Sequence, residues 1–338
     1  MIKVVQFQRK PFPGFYSVER LFRDVREYLP ARIACKVVVS KCLSKGLVRR
    51  VFNIIEAAFH SSDVNHVTGD VHFLTFLLPR RRTLLTIHDC ILLTELSGWR
   101  WWLFWLLWYW LPTRRSAAIT VVSQSTKRQL LDFVRCDADK VFVIHNPVSN
   151  SFRAVPKEGL NPLPVLLQVG TTKNKNLHRV VQALQGIRCH LRIVGPLNAD
   201  QLKLLKESRL EYSVKSKLSE SEIVDEYVRS DAVILVSTYE GFGLPIVEAN
   251  AVGRPVITSN VSSMPEVAGD AACLVDPFDV QNIRNGILRV LENKEYRDNL
   301  IRNGYANAER FKVDKISAEY CRLYETIAAS TGARASGS

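Results

Sequence analysis

The sequence predicts an α/β protein made of two doubly wound domains. Short apolar runs rich in β-branched residues alternate with helix-period segments, the pattern of parallel sheets joined by crossover helices. The 338 residues suit two domains of about 150 residues each. A break at 146–164, holding Pro147, Pro156, Pro162 and Pro164, separates two such series and reads as a linker.

In the first series the expected strands are residues 2–6, 36–39, 63–67, 83–87, 117–122 and 141–144. Helices are expected at 18–29, 47–59, a tryptophan-rich run at 99–112, and 126–134, with Ser125 placed to cap the last. The second series gives strands at 165–169, 190–194, 232–236, 255–258 and 272–275. Its helices are 177–184, 199–208, 220–230, 246–251 and 280–292, followed by two closing helices at 294–311 and 313–330. The polar tail 331–338 is expected to be disordered. The domains then run 1–150 and 151–312, with 313–330 as a separate final helix. In such sheets ligands bind at the carboxyl ends of the strands, and two domains face to face would share one cleft.

Hydrophobic residues make up 47% and charged residues 23%, a globular balance rather than a fibrous or disordered one. The net charge is +13, and residues 1–120 carry 18 lysines and arginines against 8 aspartates and glutamates. This points to an anionic partner: a nucleotide, phosphate groups, nucleic acid or a membrane surface. The run Arg80–Arg82 follows Pro79 in a turn, and no aromatic-interleaved module accompanies the basic residues, so nucleic acid is not the expected partner. Seven cysteines with no C-x-x-C spacing argue for a reducing compartment and against disulfides or zinc. The opening MIKVVQF reads as a strand, not a signal peptide. Asp137-Ala-Asp139 lies in a turn before a strand and reads as turn chemistry, so no metal is expected.

Residues 99–112, WRWWLFWLLWYWLP, hold all six tryptophans, with Arg100 near one end and Arg114/Arg115 just past the other. The stretch falls short of the roughly 20 residues a membrane span needs. Its two readings are a buried helix and a monotopic membrane contact. Tryptophan favours membrane interfaces and the arginines favour anionic lipid, so contact through Trp101, Trp102 and Trp105 is the expectation.

The chemistry concentrates at 237–250, STYEGFGLPIVEAN. Gly241 and Gly243 let the backbone come close to a ligand, and Pro245 suits the first position of a helix. Loop amides and a helix N-terminus favour a phosphate or diphosphate. Glu248, placed at the fourth helical position, suits ribose hydroxyls because a carboxylate only accepts hydrogen bonds. Glu240 could accept from sugar hydroxyls.

The segment EGFGLPIVEANAVGRPVITSNVSSMPEVAGDAACLVDPFD strongly resembles the retaining nucleotide-sugar glycosyltransferases of GT-B fold, family 4 (group 1). Their mark is a glutamate, seven residues and a second glutamate, matched by Glu240 and Glu248. VGTTKNKNL at 169–177, TIHD at 86–89, VVSQSTKRQL at 121–130 and IHNPV at 144–148 extend the likeness.

The resemblance implies that Gly170, Thr171, Lys175, Glu240, Gly241, Phe242, Gly243, Leu244 and Glu248 bind a nucleoside diphosphate sugar. Lys175 would neutralise the leaving diphosphate. His88 would face the donor sugar, while Gly14 and Asp89 would lie on the acceptor side. Glu240, His88 and Lys175 would be the catalytic set. Many relatives carry an arginine just before the phosphate-loop lysine, where this chain has Asn174; Lys173 could supply that charge.

The implied reaction is retaining transfer of a sugar, with a mannose-type hexose favoured, to a glycan or lipid-linked acceptor in cell-surface polysaccharide or lipopolysaccharide assembly. It requires neither metal nor cofactor. The implied location is the cytoplasm, peripheral to the inner face of the plasma membrane, with the last helix crossing back to the first domain. The alternatives are a non-catalytic nucleotide-sugar-binding partner and a nucleotide-sugar epimerase of similar fold.

Overall fold

The computed structural model describes residues 1–10 and 17–332. Gly14 and residues 333–338 lie outside the described residues. The chain divides into two compact units, Met1–Pro147 with Val313–Ser338, and Val148–Lys312.

The first unit holds a parallel sheet of β1 (Ile2–Gln8), β2 (Ile33–Val39), β3 (Val64–Val67), β4 (Thr83–Ile87), β5 (Ala118–Val121) and β6 (Val141–Val143), in the order β2-β1-β3-β4-β5-β6. Its helices are α1 (Ser17–Glu27), α2 (Leu47–Phe59), α3 (Ile91–Glu95), α4 (Gly98–Phe104), α5 (Leu111–Arg114) and α6 (Gln124–Val134). The central strands are buried on both faces, which is why they read as continuous apolar runs. Ser123, not Ser125, caps α6: its hydroxyl accepts from the Thr126 amide at 3.0 Å. The helix begins two residues earlier than expected, so Ser125 already sits in its first turn.

The tryptophan-rich run is not one regular helix. Trp105–Trp110 between α4 and α5 is π-helical. The widened turn is supported from outside: the buried His72 ring bonds the Trp108 carbonyl through Nδ1 at 2.7 Å.

The second unit holds β7 (Val165–Val169), β8 (His190–Val194), β9 (Glu211–Lys215), β10 (Ala232–Leu235), β11 (Val256–Ser259) and β12 (Ala272–Val275), in the order β12-β11-β10-β7-β8-β9. Between and after them run α7 (Leu177–Ala183), α8 (Ala199–Glu207), α9 (Glu220–Arg229), α10 (Leu244–Val252), α11 (Met264–Ala268), α12 (Val280–Glu292) and α13 (Lys294–Ala308). Asn198 with Gln201 and Ser219 with Glu222 form capping boxes at α8 and α9. The sequence reading missed β9, whose EYSVK is half-exposed at the sheet edge and carries charge at both ends.

The stretch read as a linker packs on the second unit from Val148 onward. Phe152 is buried edge-on against Tyr227, and Arg254 bonds the Val155 carbonyl at 2.9 Å. The last helix, α14 (Val313–Ser330), belongs to the first unit. Ile316, Tyr320, Tyr324 and Ile327 join Phe22 and Val25 of α1 in the core on one face of the first sheet. Beneath them, buried His66 bonds the Tyr324 hydroxyl and Thr86 Oγ1, each at 2.7 Å.

Candidate functional site

The order of the second sheet reverses between β7 and β10, and such a switch point leaves a crevice beyond the strand ends. The loops that leave these two strands carry the predicted donor residues. They are stitched to each other: the Thr238 amide donates to the Asn174 carbonyl at 2.8 Å, and Asn174 Nδ2 donates to the Tyr239 carbonyl at 2.9 Å. Buried Asn176 adds bonds to the carbonyls of Val236 and Pro277.

Two predicted residues meet here. Lys175 Nζ lies 2.6 Å from Glu240 Oε1, and Ser237 donates to the same oxygen at 2.6 Å. Both side chains are largely withdrawn from water, 16% and 13% exposed, so the pair is screened less than a surface ion pair. Gly170 makes room for it. A Cβ there would sit 2.8 Å from Lys175 Cε, and the residue has φ +93°. This glycine therefore passes the lysine stem over the backbone.

Thr171 is held differently from its neighbours. Its hydroxyl donates to the Pro196 carbonyl, and its own carbonyl accepts from Gln201 Nε2 at 2.7 Å. Lys173 is exposed.

In the second loop, Gly243 adopts φ +103° at the start of α10, where a Cβ would press to 3.2 Å on Ile246 Cδ1. Helix α10 begins at Leu244, so Pro245 is its second residue and Glu248 its fifth. Phe242 points into the second unit, 4% exposed and edge-on to Phe311, so its ring serves packing. Ser262 and Ser263 donate to the Glu240 carbonyl at 2.6 and 3.0 Å, and Ser263 also bonds the Phe242 carbonyl. These serines fix the loop's carbonyls around partly exposed Gly241. One turn inside α10, Glu248 is 5% exposed and accepts the Tyr227 hydroxyl at 2.6 Å on Oε2. A cation, two oriented carboxylates and the positive end of a helix thus surround one switch point, a set of groups suited to diphosphate and hydroxyls.

In the first unit, His88 follows β4. Its Nε2 donates to the Thr68 carbonyl at 2.8 Å. Asp89 Oδ1 accepts from the Ile91 amide at 3.1 Å. Of the three tryptophans predicted at a membrane, Trp102 is 55% exposed. Trp101 and Trp105 are half-buried and stacked, donating their indole N–H groups to the carbonyls of Leu93 and Phe133. Asp137 accepts from the Asp139 amide in a short 3-10 turn. Among the described residues no group of three possible metal ligands occurs.

The sequence reading names Asn174 only as a departure from the family's loop, and it missed Tyr227, Ser237, Ser262 and Ser263 as parts of the site. Ser262 and Ser263 stood inside the quoted family segment. Tyr227 had no signal, since its link to Glu248 spans 21 residues and only the fold creates it.

Residues 153–307 match the model for glycosyl transferases group 1, and residues 43–152 match that for glycosyltransferase family 4. O-antigen chain mannosyltransferase B of Escherichia coli is 29% identical over 232 residues, 62% of this chain and 60% of that protein. The MMP alpha-(1->4)-mannosyltransferase of Mycolicibacterium hassiacum is 28% identical over 260 residues, 71% of this chain and 63% of that one. The matches therefore span less than two thirds of these relatives' lengths.

Among solved structures, Anabaena HepE in complex with UDP-glucose superposes with a TM-score of 0.78 at 17% identity, covering 96% of this chain and 100% of that one. WaaG, a glycosyltransferase involved in lipopolysaccharide biosynthesis, gives 0.74 at 13% identity, covering 96% and 99%. With two family models in tandem over two parallel six-stranded sheets, this chain belongs to the group 1, family 4 glycosyltransferases and has their GT-B fold.

Proposed function

We propose that the protein transfers a hexose, with mannose favoured, from a nucleoside diphosphate sugar to an acceptor hydroxyl with retention of configuration. The observation that carries this reading is the Lys175–Glu240 pair set at the switch point beside the start of α10, with Glu248 one turn further in. Two relatives named as mannosyltransferases support the sugar.

In this reading Lys175 and the α10 amides hold the diphosphate, Glu248 the ribose, and Glu240 the sugar. Glu240 Oε1 already accepts from Lys175 and Ser237, two donors that quench it as a nucleophile and suit it to hydrogen bonding. Retention then comes from same-face attack. The bond from the anomeric carbon to the diphosphate oxygen breaks, and the acceptor oxygen bonds that carbon on the same face. The acceptor proton passes to the departing phosphate. The protein contributes positioning and electrostatic stabilisation. His88 and Asp89 serve the sugar and the acceptor, and no metal is needed.

The acceptor is a glycan or lipid-linked glycan, and the enzyme works in the cytoplasm at the inner face of the plasma membrane. We take the contact to be peripheral; no helix among the described residues is long and apolar enough to cross a bilayer.

A thermal-shift panel of nucleoside diphosphate sugars, followed by product analysis with and without acceptor and with chelator, tests the reading. A stabilising donor and chelator-resistant transfer support it. Isomerised donor without acceptor would identify an epimerase. Binding without turnover would leave a non-catalytic partner.

A further inference from the structure

Helix α2 packs Ile54 and Ala57 on the core, yet it also carries large apolar residues on its outer face. Leu47, Val48 and Phe59 are 77%, 82% and 84% exposed, and Val51, Phe52 and Ile55 are also exposed. These residues recur every three or four positions and form one long apolar stripe. The polar residues of the helix turn elsewhere. Asn53 is 1% exposed and exchanges two hydrogen bonds with the backbone of Cys42, while Glu56 is paired with Lys41 at 3.3 Å. Around the stripe the charge is positive, with Lys45 and Arg49 exposed. Arg50 lies 4.5 Å over the ring of Trp108, so α2 and the tryptophan segment are neighbours. That segment adds Trp99, 75% exposed, and Trp102.

We propose that α2 is the part of the protein that enters an anionic bilayer surface. It lies flat, with Leu47, Val48, Val51, Phe52, Ile55 and Phe59 among acyl chains and Lys45 and Arg49 among lipid phosphates. This deepens the peripheral-membrane reading above and rests on it. A helix of 13 residues is about 20 Å long, too short to span but sufficient to lie in the interface. Charge selects the occupant: exposed cations flanking an apolar stripe match anionic headgroups over acyl chains, whereas a protein partner would have to cover the stripe with apolar surface rimmed by acids.

Flotation of the full chain with phosphatidylcholine vesicles, and with vesicles containing phosphatidylglycerol, tests this. The wild type is expected to bind the anionic vesicles, less so at high salt. V48S/F59S should bind them about tenfold or more weakly. K45E/R49E should lose the preference for anionic lipid. Both variants should keep the wild-type thermal shift with a nucleoside diphosphate sugar, which shows that they fold. Wild-type flotation with undiminished binding by V48S/F59S would overturn the role of α2 alone. Failure of the wild type to float would overturn the membrane reading itself. A wild-type dimer that V48S/F59S converts to monomer would make α2 an interface between copies and sink the proposal.

Discussion

Tyr109 donates its hydroxyl to the backbone carbonyl of Asp89 at 3.0 Å. It is the one buried residue of the π-helical turn, and its ring stands edge-on to His72 at 5.6 Å. The tryptophan segment is thereby tied to the turn that presents His88. Tyr109→Phe keeps the ring and removes the bond, at a cost of about 1 kcal/mol in stability. If the turn serves the acceptor, kcat falls while donor affinity stays unchanged, as steady-state kinetics beside donor thermal shifts would show.

The approach of Gly170 to Lys175 gives a second prediction. In Gly170→Ala the new methyl displaces the lysine stem, and the positive φ adds strain of about 1 kcal/mol. The ammonium moves off its place, so transfer should fall about tenfold or more. Lys175→Met, which removes the charge outright, should lose about a hundredfold or more in kcat. An alanine variant with wild-type turnover would show that the lysine does not act from this position.

Tyr227→Phe strips the donor from Glu248 while preserving the packing of the ring on Phe152. A hydrogen bond to a charged group contributes about 1.5–3 kcal/mol. The donor KM should therefore rise about tenfold or more with little change in kcat, the signature of lost ground-state binding. A fall in kcat alone would place Glu248 in the chemistry instead.

Acid should unfold the first unit. Burial pushes the His66 pKa down to about 3 and also lowers that of His72. In the folded protein His66 therefore stays neutral down to about pH 3 and His72 takes up its proton below the usual value, while in the unfolded chain both protonate at about pH 6.5. Below that pH the unfolded state binds more protons, so stability falls as pH drops from about 6.5 toward 3. His66 alone accounts for about 2 kcal/mol between pH 6.5 and 5. All six tryptophans lie in this unit, so denaturant melts followed by tryptophan fluorescence report it selectively. His66→Gln should flatten the pH slope, and an unchanged slope would assign it to other groups.

Much of this architecture was legible in the residues. The strands at 83–87, 165–169, 190–194 and 272–275 and the helices at 47–59 and 280–292 have the bounds their apolar periodicity predicts. The edge strand β9 was not legible, because an exposed, charged strand has little apolar pattern to read. The start of α6 was misjudged because three candidate caps, Ser123, Ser125 and Thr126, stand together. Within the site, Gly243 could be anticipated from its own loop. The Tyr227–Glu248 bond and the serines under the EGFG carbonyls could not, since each joins separate elements that only the fold brings together. The exposed stripe of α2 was invisible for a similar reason: its period fits a core-facing helix equally well, and only the fold shows which side faces in.

The membership of α14 in the first unit bears on how the protein is made. The second unit is one unbroken stretch, Val148–Lys312, and can close as soon as it leaves the ribosome. The first unit cannot. Its sheet is synthesised first, yet the face beneath Tyr320 and Tyr324 stays bare until α14 emerges. A chain ended at Lys312 is expected to keep a folded second unit and to lose the cooperative tryptophan-monitored melt. For most of synthesis, then, the older half of the nascent chain waits on the younger, a window in which chaperone binding would find its target in the N-terminal sheet.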